Sequence, residues 1–132
     1  MTDAKTQLVQ SWLTKAQHDL ASAQVLATAN PPLLDTAIYH CQQAVEKAIK
    51  GYLTFRDHDI DRTHDVELLI RTAIPYAQEF ENWVEAGIIL TPYARMYRYP
   101  GFADEPSQAE FEEALAVAEG IYRVALSLIP LP

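Results

Sequence analysis

The stretch Ile38-Tyr39-His40-Cys41-Gln42-Gln43-Ala44-Val45-Glu46-Lys47-Ala48-Ile49-Lys50-Gly51-Tyr52-Leu53 decides the fold. Ile38, Cys41, Val45, Ala48/Ile49 and Tyr52 recur at three- and four-residue spacing, which lines one face of an α-helix and fits no strand. The helix is predicted over about Asp35 to Arg56. Asp35 is the expected N-cap, its carboxylate set against the positive end of the helix dipole. Glu46 and Lys50 stand four apart in the favourable order and read as a pair on the exposed face.

The same periodicity extends outward in both directions. A first helix is predicted from about Thr6 to Ala29, carried by Trp12, Ala16, Leu20, Ala23 and Leu26/Ala27. Asn30-Pro31-Pro32 stops it, because proline lacks the amide proton and clashes with a preceding helical turn. Asp57–Thr63 reads as a charged loop. A short third helix begins near His64-Asp65, uses Val66, Leu69, Ile70 and Ala73, and ends at Pro75. A fourth element covers about Tyr76–Met96, with Phe80, Trp83, Val84, Gly87/Ile88 and Leu90 inward and Pro92 as a kink. Tyr99-Pro100-Gly101 is a turn. Ser107-Gln108-Ala109-Glu110 is a capping box, from which the last helix runs through Phe111, Leu115, Ala118, Tyr122, Ala125 and Ile129. The fold class expected is all-α: an up-and-down bundle of about five helices, two of them long and antiparallel.

The chain has 132 residues, 49% of them hydrophobic, which suits one globular domain spanning 1–132. Ten Lys and Arg against 18 Asp and Glu give a net charge of −8, which argues against avid nonspecific coating of nucleic acid or anionic membrane. The single cysteine, Cys41, forms no intrachain disulfide and lies on the apolar stripe, where a buried structural thiol is the better reading than a nucleophile. The N-terminal residues Met1–Lys5 lack the apolar run of a signal peptide, and no run approaches the roughly 20 residues of a membrane span. A cytoplasmic protein is expected.

Three groups of residues carry candidate chemistry. Tyr93, Arg95, Tyr97, Arg98 and Tyr99 fall within seven positions, and no acid occurs between Glu85 and Asp104. Arginine makes bidentate phosphate contacts and tyrosine offers a stacking face for a base. The competing reading packs the tyrosines at the bundle end and pairs the arginines with acids of the last helix. His40, Gln43 and Lys47 follow one another by three and four residues, as a ligand-facing stripe or as a hydrogen-bonded seam between helices. His64-Asp65 at a helix start is either a ligand pair or, on the commoner pattern, a cap made by Asp65 or Thr63. Asp57-His58-Asp59-Ile60-Asp61 imitates the first ligands of a calcium loop. Arg62 stands where such a loop needs glycine and Leu68 where it needs glutamate, so no metal site is expected.

Taken together, His40-Cys41-Gln42-Gln43-Ala44-Val45-Glu46-Lys47-Ala48-Ile49-Lys50, Thr63-His64-Asp65, Arg98-Tyr99-Pro100-Gly101 and the early Ala16-x-x-Asp19-Leu20-x-x-Ala23 resemble the HEPN domain family. The resemblance covers about residues 10 to 128. It implies a helical bundle, a homodimer, and a minimal nucleotidyltransferase as protein partner in a toxin–antitoxin-like pair. Many members of the family are ribonucleases that use an Arg followed by four to six residues and then a His, placed at the dimer interface. Here no histidine follows His64, so neither Arg95 nor Arg98 can complete that motif. Metal-free RNA cleavage needs a base near neutral pKa, a role arginine cannot fill. The expectation is therefore a HEPN-type protein that binds a nucleotide, or a nucleotidyltransferase partner, and needs no cofactor. The expected ligand-binding residues are Arg95, Arg98, Tyr99, Tyr97, Lys47, Gln43, His40 and His64. One alternative is an RNA-cleaving toxin with a non-standard site using Arg95, Arg98 and His40 or His64. Another is a structural dimerisation module.

Overall fold

A computed structural model describes residues 1–60, 62–101 and 105–132. Among these residues the chain forms five α-helices and no strand: α1 Asp3–Ala27, α2 Leu34–Phe55, α3 Val66–Ala73, α4 Val84–Leu90 and α5 Gln108–Ser127. Two 3-10 segments, Gln78–Trp83 and Thr91–Ala94, bracket α4. Helices α1 and α2 are antiparallel. Lys5 at the start of α1 pairs with Asp57 just past the end of α2, while Asp19 late in α1 meets His40 early in α2. No helix among the described residues is long and apolar enough to cross a membrane.

The α2 helix is the axis of the bundle. It packs against α1, α3, α5 and the second 3-10 segment, and 15 of its 22 residues are buried. A helix surrounded in this way has no broad solvated face, so Glu46 and Lys50 are buried rather than exposed as the pattern predicts. The first cap also differs from expectation. The N-cap is Leu33, which contributes no side-chain bond, and Asp35 sits inside the first turn, accepting from the Thr36 amide at 2.7 Å. At the crossing with α1, a Cβ on Gly51 would lie 3.1 Å from Trp12 Cβ, so the absent side chain lets the two backbones close up.

In α1 the buried face is Val9, Leu13, Ala16, Asp19, Leu20 and Ala23, with Trp12, Leu26 and Ala27 only half-buried. Asp65 caps α3 by accepting from the Leu68 amide at 3.0 Å. The predicted fourth element is broken into three short pieces. Ile88 is 49% exposed, and Phe80, Gly87 and Leu90 face inward. Thr91 and Pro92 explain the tightening after Leu90: Thr91 Oγ1 bonds back to the Gly87 carbonyl at 2.7 Å, and Pro92 occupies the start of the next turn. Gly101 has φ +99°, as the turn at Tyr99-Pro100-Gly101 requires. The capping box at Ser107 and Glu110 is fully formed.

Candidate functional site

A polar seam runs through the middle of the bundle along α2. Glu46, 5% exposed, is its centre. Its Oε1 accepts from His64 Nδ1 at 2.8 Å and its Oε2 from Lys50 Nζ at 3.0 Å. Burial on its own raises this carboxyl's pKa. The bonds from His64 and Lys50, together with their charges, outweigh that effect and hold the group below its ordinary value. An ionised carboxylate only accepts, so His64 Nδ1 carries the proton and Nε2 is the nitrogen left for other partners. Gln42, fully buried, donates to the His64 carbonyl at 2.8 Å and to Glu46 Oε1 at 3.3 Å. Gln43 donates to Gln42 Oε1 at 2.7 Å. Backbone and ring of His64 are thus both tied to α2, while 64% of its side chain remains exposed.

The exposed side of His64 opens on a cleft of about 460 Å³ lined by Arg62, Thr63, His64, Asp65, Thr91, Pro92, Ala94 and Arg95. Two arginines and one histidine with an oriented imidazole therefore line a common space. The α2–α3 loop supplies Arg62 and His64, and the 3-10 turn after α4 supplies Arg95. Asp65 is the acid of the cleft, and its Oδ1 is already engaged by the Leu68 amide.

A second unit of the same construction lies toward the N-terminal end of α2. Asp19 of α1, its side chain 9% exposed, accepts from His40 Nδ1 at 2.8 Å and from Lys47 Nζ at 2.6 Å. In each unit a buried carboxylate binds one histidine through Nδ1 and one lysine. His40 then lines a smaller cleft of about 250 Å³ with Asp35, Thr36, Tyr39, Tyr97 and Arg98. The Arg98 guanidinium lies 4.3 Å over the Tyr39 ring and 5.7 Å from the Tyr99 ring, within cation–π range of both.

The expected site residues thus separate into groups. Arg95 and His64 share the larger cleft, and Arg98, His40 and Tyr97 share the smaller one. Tyr99 is 56% exposed beside Arg98. Lys47 and His40 do converge, but on Asp19. Gln43 is buried in the seam and leaves the stripe it shares with them in sequence. His64 pairs with Glu46 and not with its neighbour Asp65. Among the described residues neither Arg95 nor Arg98 forms an ion pair. It is Tyr97 that meets the last helix, its hydroxyl donating to Glu110 at 3.1 Å and its ring stacked on Tyr93. Partial burial and the bond to Glu110 both raise the Tyr97 pKa, so this phenol stays protonated. Of the apparent calcium loop, Asp57 is bound to Lys5 and Asp61 lies outside the described residues.

Sequence reasoning missed Arg62 and Asp35 as lining residues of these clefts, and Asp19, Gln42 and Glu46 as the groups that hold their histidines. Asp19 did leave a signal, being a charged residue between Ala16 and Ala23 on an otherwise apolar stripe.

Residues 9–128 match the family model described as HEPN domain. The chain is 30% identical over 128 residues to the protein named "Putative toxin MJ1304" of Methanocaldococcus jannaschii, with 86% of this chain and 82% of that protein covered. The crystal structure of TT1696 from Thermus thermophilus superposes with a TM-score of 0.81 at 28% identity, covering 92% of this chain and 98% of that one. ST0689, an archaeal HEPN homologue, shares the fold with a TM-score of 0.74 at 21% identity over the same shares of the two chains. With the family model spanning nearly all of its length, the chain belongs to the HEPN domain family.

Proposed function

We propose that this HEPN protein binds the phosphate of a nucleotide or of an RNA chain in the cleft between His64 and Arg95. The observation that carries the reading is the shared cleft of Arg62, His64 and Arg95, with His64 locked from behind by Glu46. Guanidinium groups pair with phosphate oxygens through two parallel N–H bonds. In a chain of net charge −8 such a local cationic cleft favours a small or single-stranded ligand over a long duplex. The test is a calorimetric or NMR titration comparing uridine with uridine 5′-monophosphate. The phosphate should strengthen binding, and Arg95→Ala should remove the gain. Equal affinity for both ligands, or an unaltered gain in Arg95→Ala, overturns the reading.

A second reading is favoured by one further feature, the free Nε2 of an imidazole whose Nδ1 is held by a carboxylate. Such a histidine is a competent general base. It would accept the 2′-hydroxyl proton of RNA as the 2′-oxygen bonds to phosphorus and the bond to the 5′-oxygen breaks. The leaving oxygen would then take a proton from the imidazolium, while Arg95 balances charge on the phosphorane. Similarity to a protein named as a toxin supports this reading. Oligoribonucleotide cleavage in the presence of EDTA, lost in His64→Ala, would establish it; intact RNA under those conditions would exclude it.

Homodimerisation and a nucleotidyltransferase partner rest on the family resemblance. Sedimentation at micromolar concentration and co-purification with a co-expressed minimal nucleotidyltransferase test them. A monomer that retains no such partner excludes both.

A further inference from the structure

Both clefts are tied to one stripe of α2, the larger through Glu46, which holds His64, and the smaller through Tyr39, which lines it. Tyr39 and Glu46 are seven residues apart, two helical turns, so their side chains project in nearly the same direction about 10 Å apart along the axis. Their arginines are linked as well. The Arg98 amide donates to the Arg95 carbonyl at 3.0 Å, closing a single turn that places Arg95 in the lining of the larger cleft and Arg98 in that of the smaller. The clefts differ in chemistry. The His64/Arg95 cleft is dominated by cations. The smaller one has one acid, Asp35, and one arginine, Arg98, in its lining, with the Arg98 guanidinium over the Tyr39 ring and His40, Thr36 and Tyr97 completing it.

A carboxylate in a pocket is wrong for a second phosphate. It suits a neutral group that presents N–H donors on one edge and acceptors on another. At about 250 Å³ the space is below the size of a drug-like ligand site and fits a fragment such as a single planar base. Guanine alone among the four RNA bases offers two adjacent N–H donors, N1–H and the 2-amino group, for a carboxylate. It also carries O6 and N7 acceptors, which arginine reads bidentately. Adenine and cytosine place a ring-nitrogen acceptor beside their amino group, which a carboxylate repels, and uracil has no amino group.

We infer that the Asp35/Tyr39/Arg98 cleft is a base-recognition subsite selective for guanine, adjoining the phosphate cleft at His64 and Arg95. This rests on the phosphate reading only for the ligand's second anchor. Asp35 Oδ1 accepts from the Thr36 amide and hydroxyl, which orients the carboxylate without consuming Oδ2. The Asp19 carboxylate holds His40 Nδ1, so the ring's other nitrogen is the one available to the ligand.

The experiment is a set of titrations of the full chain with GMP, AMP, CMP, UMP and guanosine. GMP should bind about tenfold more tightly than the other three, the discrimination expected of one good bidentate pair. Asp35→Asn should bring GMP down to the level of UMP. Arg98→Ala, on an exposed turn, should do the same, and it serves if Asp35→Asn unfolds. Equal affinity for all four nucleotides, or a guanine preference retained in either variant that folds, overturns the inference. The two readings separate cleanly. Phosphate-dependent binding lost in Arg95→Ala but blind to the base leaves only the phosphate cleft. Guanosine that binds as well as GMP leaves only the base pocket. No binding of any of the five ligands overturns both.

Discussion

Glu46 Oε1 stands 2.8 Å from His64 Nδ1 while its other oxygen stands 3.0 Å from Lys50 Nζ, so one buried carboxylate joins the exposed imidazole of the cleft to the middle of the bundle. Its surroundings are Lys50 on its own helix, His64 from the α2–α3 loop, and the amides of Gln42 and Gln43. The native pKa is depressed because these donors outweigh desolvation. A depressed carboxyl contributes stability that is whole above its unfolded value and is lost as pH falls through the native one. Urea denaturation from pH 7 to pH 3 should therefore show a loss beginning near the ordinary glutamate value of about 4.3. Glu46→Gln should lower stability at neutral pH and flatten that acid limb. Parallel limbs in the two proteins would mean that the carboxyl is not ionised in the native state.

Asp19 has two cationic or proton-donating partners from α2 and is itself buried. Removing a buried charge partner leaves the rest uncompensated, at a cost of up to about 3–5 kcal/mol when they are sealed from water. Lys47 and His40 keep about a quarter of their side-chain surface in solvent, so they can turn outward. Asp19→Ala should accordingly cost about 2 kcal/mol, and Asp19→Asn less. A thermal midpoint unchanged in Asp19→Ala would show that the bridge between α1 and α2 contributes nothing net.

How much of this was legible in the chain varies with the physics behind each feature. Helices α1, α2, α3 and α5 and the capping box follow from local periodicity and from Ser107-x-x-Glu110, and these are where the sequence puts them to within a few residues. The breaks around α4 were not legible, since Thr91's bond to Gly87 is a local option that competes with helix only in context. Arg95, Arg98, His40 and His64 stood out by residue type. Their sorting into two clefts did not, because it depends on which tertiary carboxylate each histidine meets. Glu46 illustrates the difficulty best. As half of a Glu-Lys pair four apart it has the pattern of a surface ion pair, and only the neighbours on all sides of α2 turn that pattern into a buried hub.

Gly87 marks the closest approach of α3 and α4. A Cβ there would lie 3.0 Å from the Glu67 Cα and 2.8 Å from Ile70 Cδ1. The isoleucine tip can turn aside, but the backbone of α3 cannot without moving the helix. Helix propensity alone would make Gly87→Ala stabilising by up to about 1 kcal/mol. The overlap should reverse the sign and cost about 1–3 kcal/mol, the usual range for overpacking. Chemical denaturation of Gly87→Ala decides the sign, and a more stable variant would mean that α3 yields freely.

Cys41 is fully buried on α2. Burial above all, with the negative charges of Glu119 and Asp19 adding to it, pushes its thiol up to about 12. The thiolate is the reactive form, so at pH 8 the native protein should offer almost none of it. Reaction with a disulfide reagent should then proceed only through opening of the bundle, at a rate set by unfolding and independent of reagent concentration once labelling outpaces reclosing. Low urea should accelerate labelling in step with the unfolding rate. Asp19→Ala should accelerate it further, both by loosening the α1–α2 contact and by removing one of the charges that raise the pKa. Rapid stoichiometric labelling of the native protein would contradict both the burial and the raised pKa, and would place Cys41 among the accessible groups of the bundle.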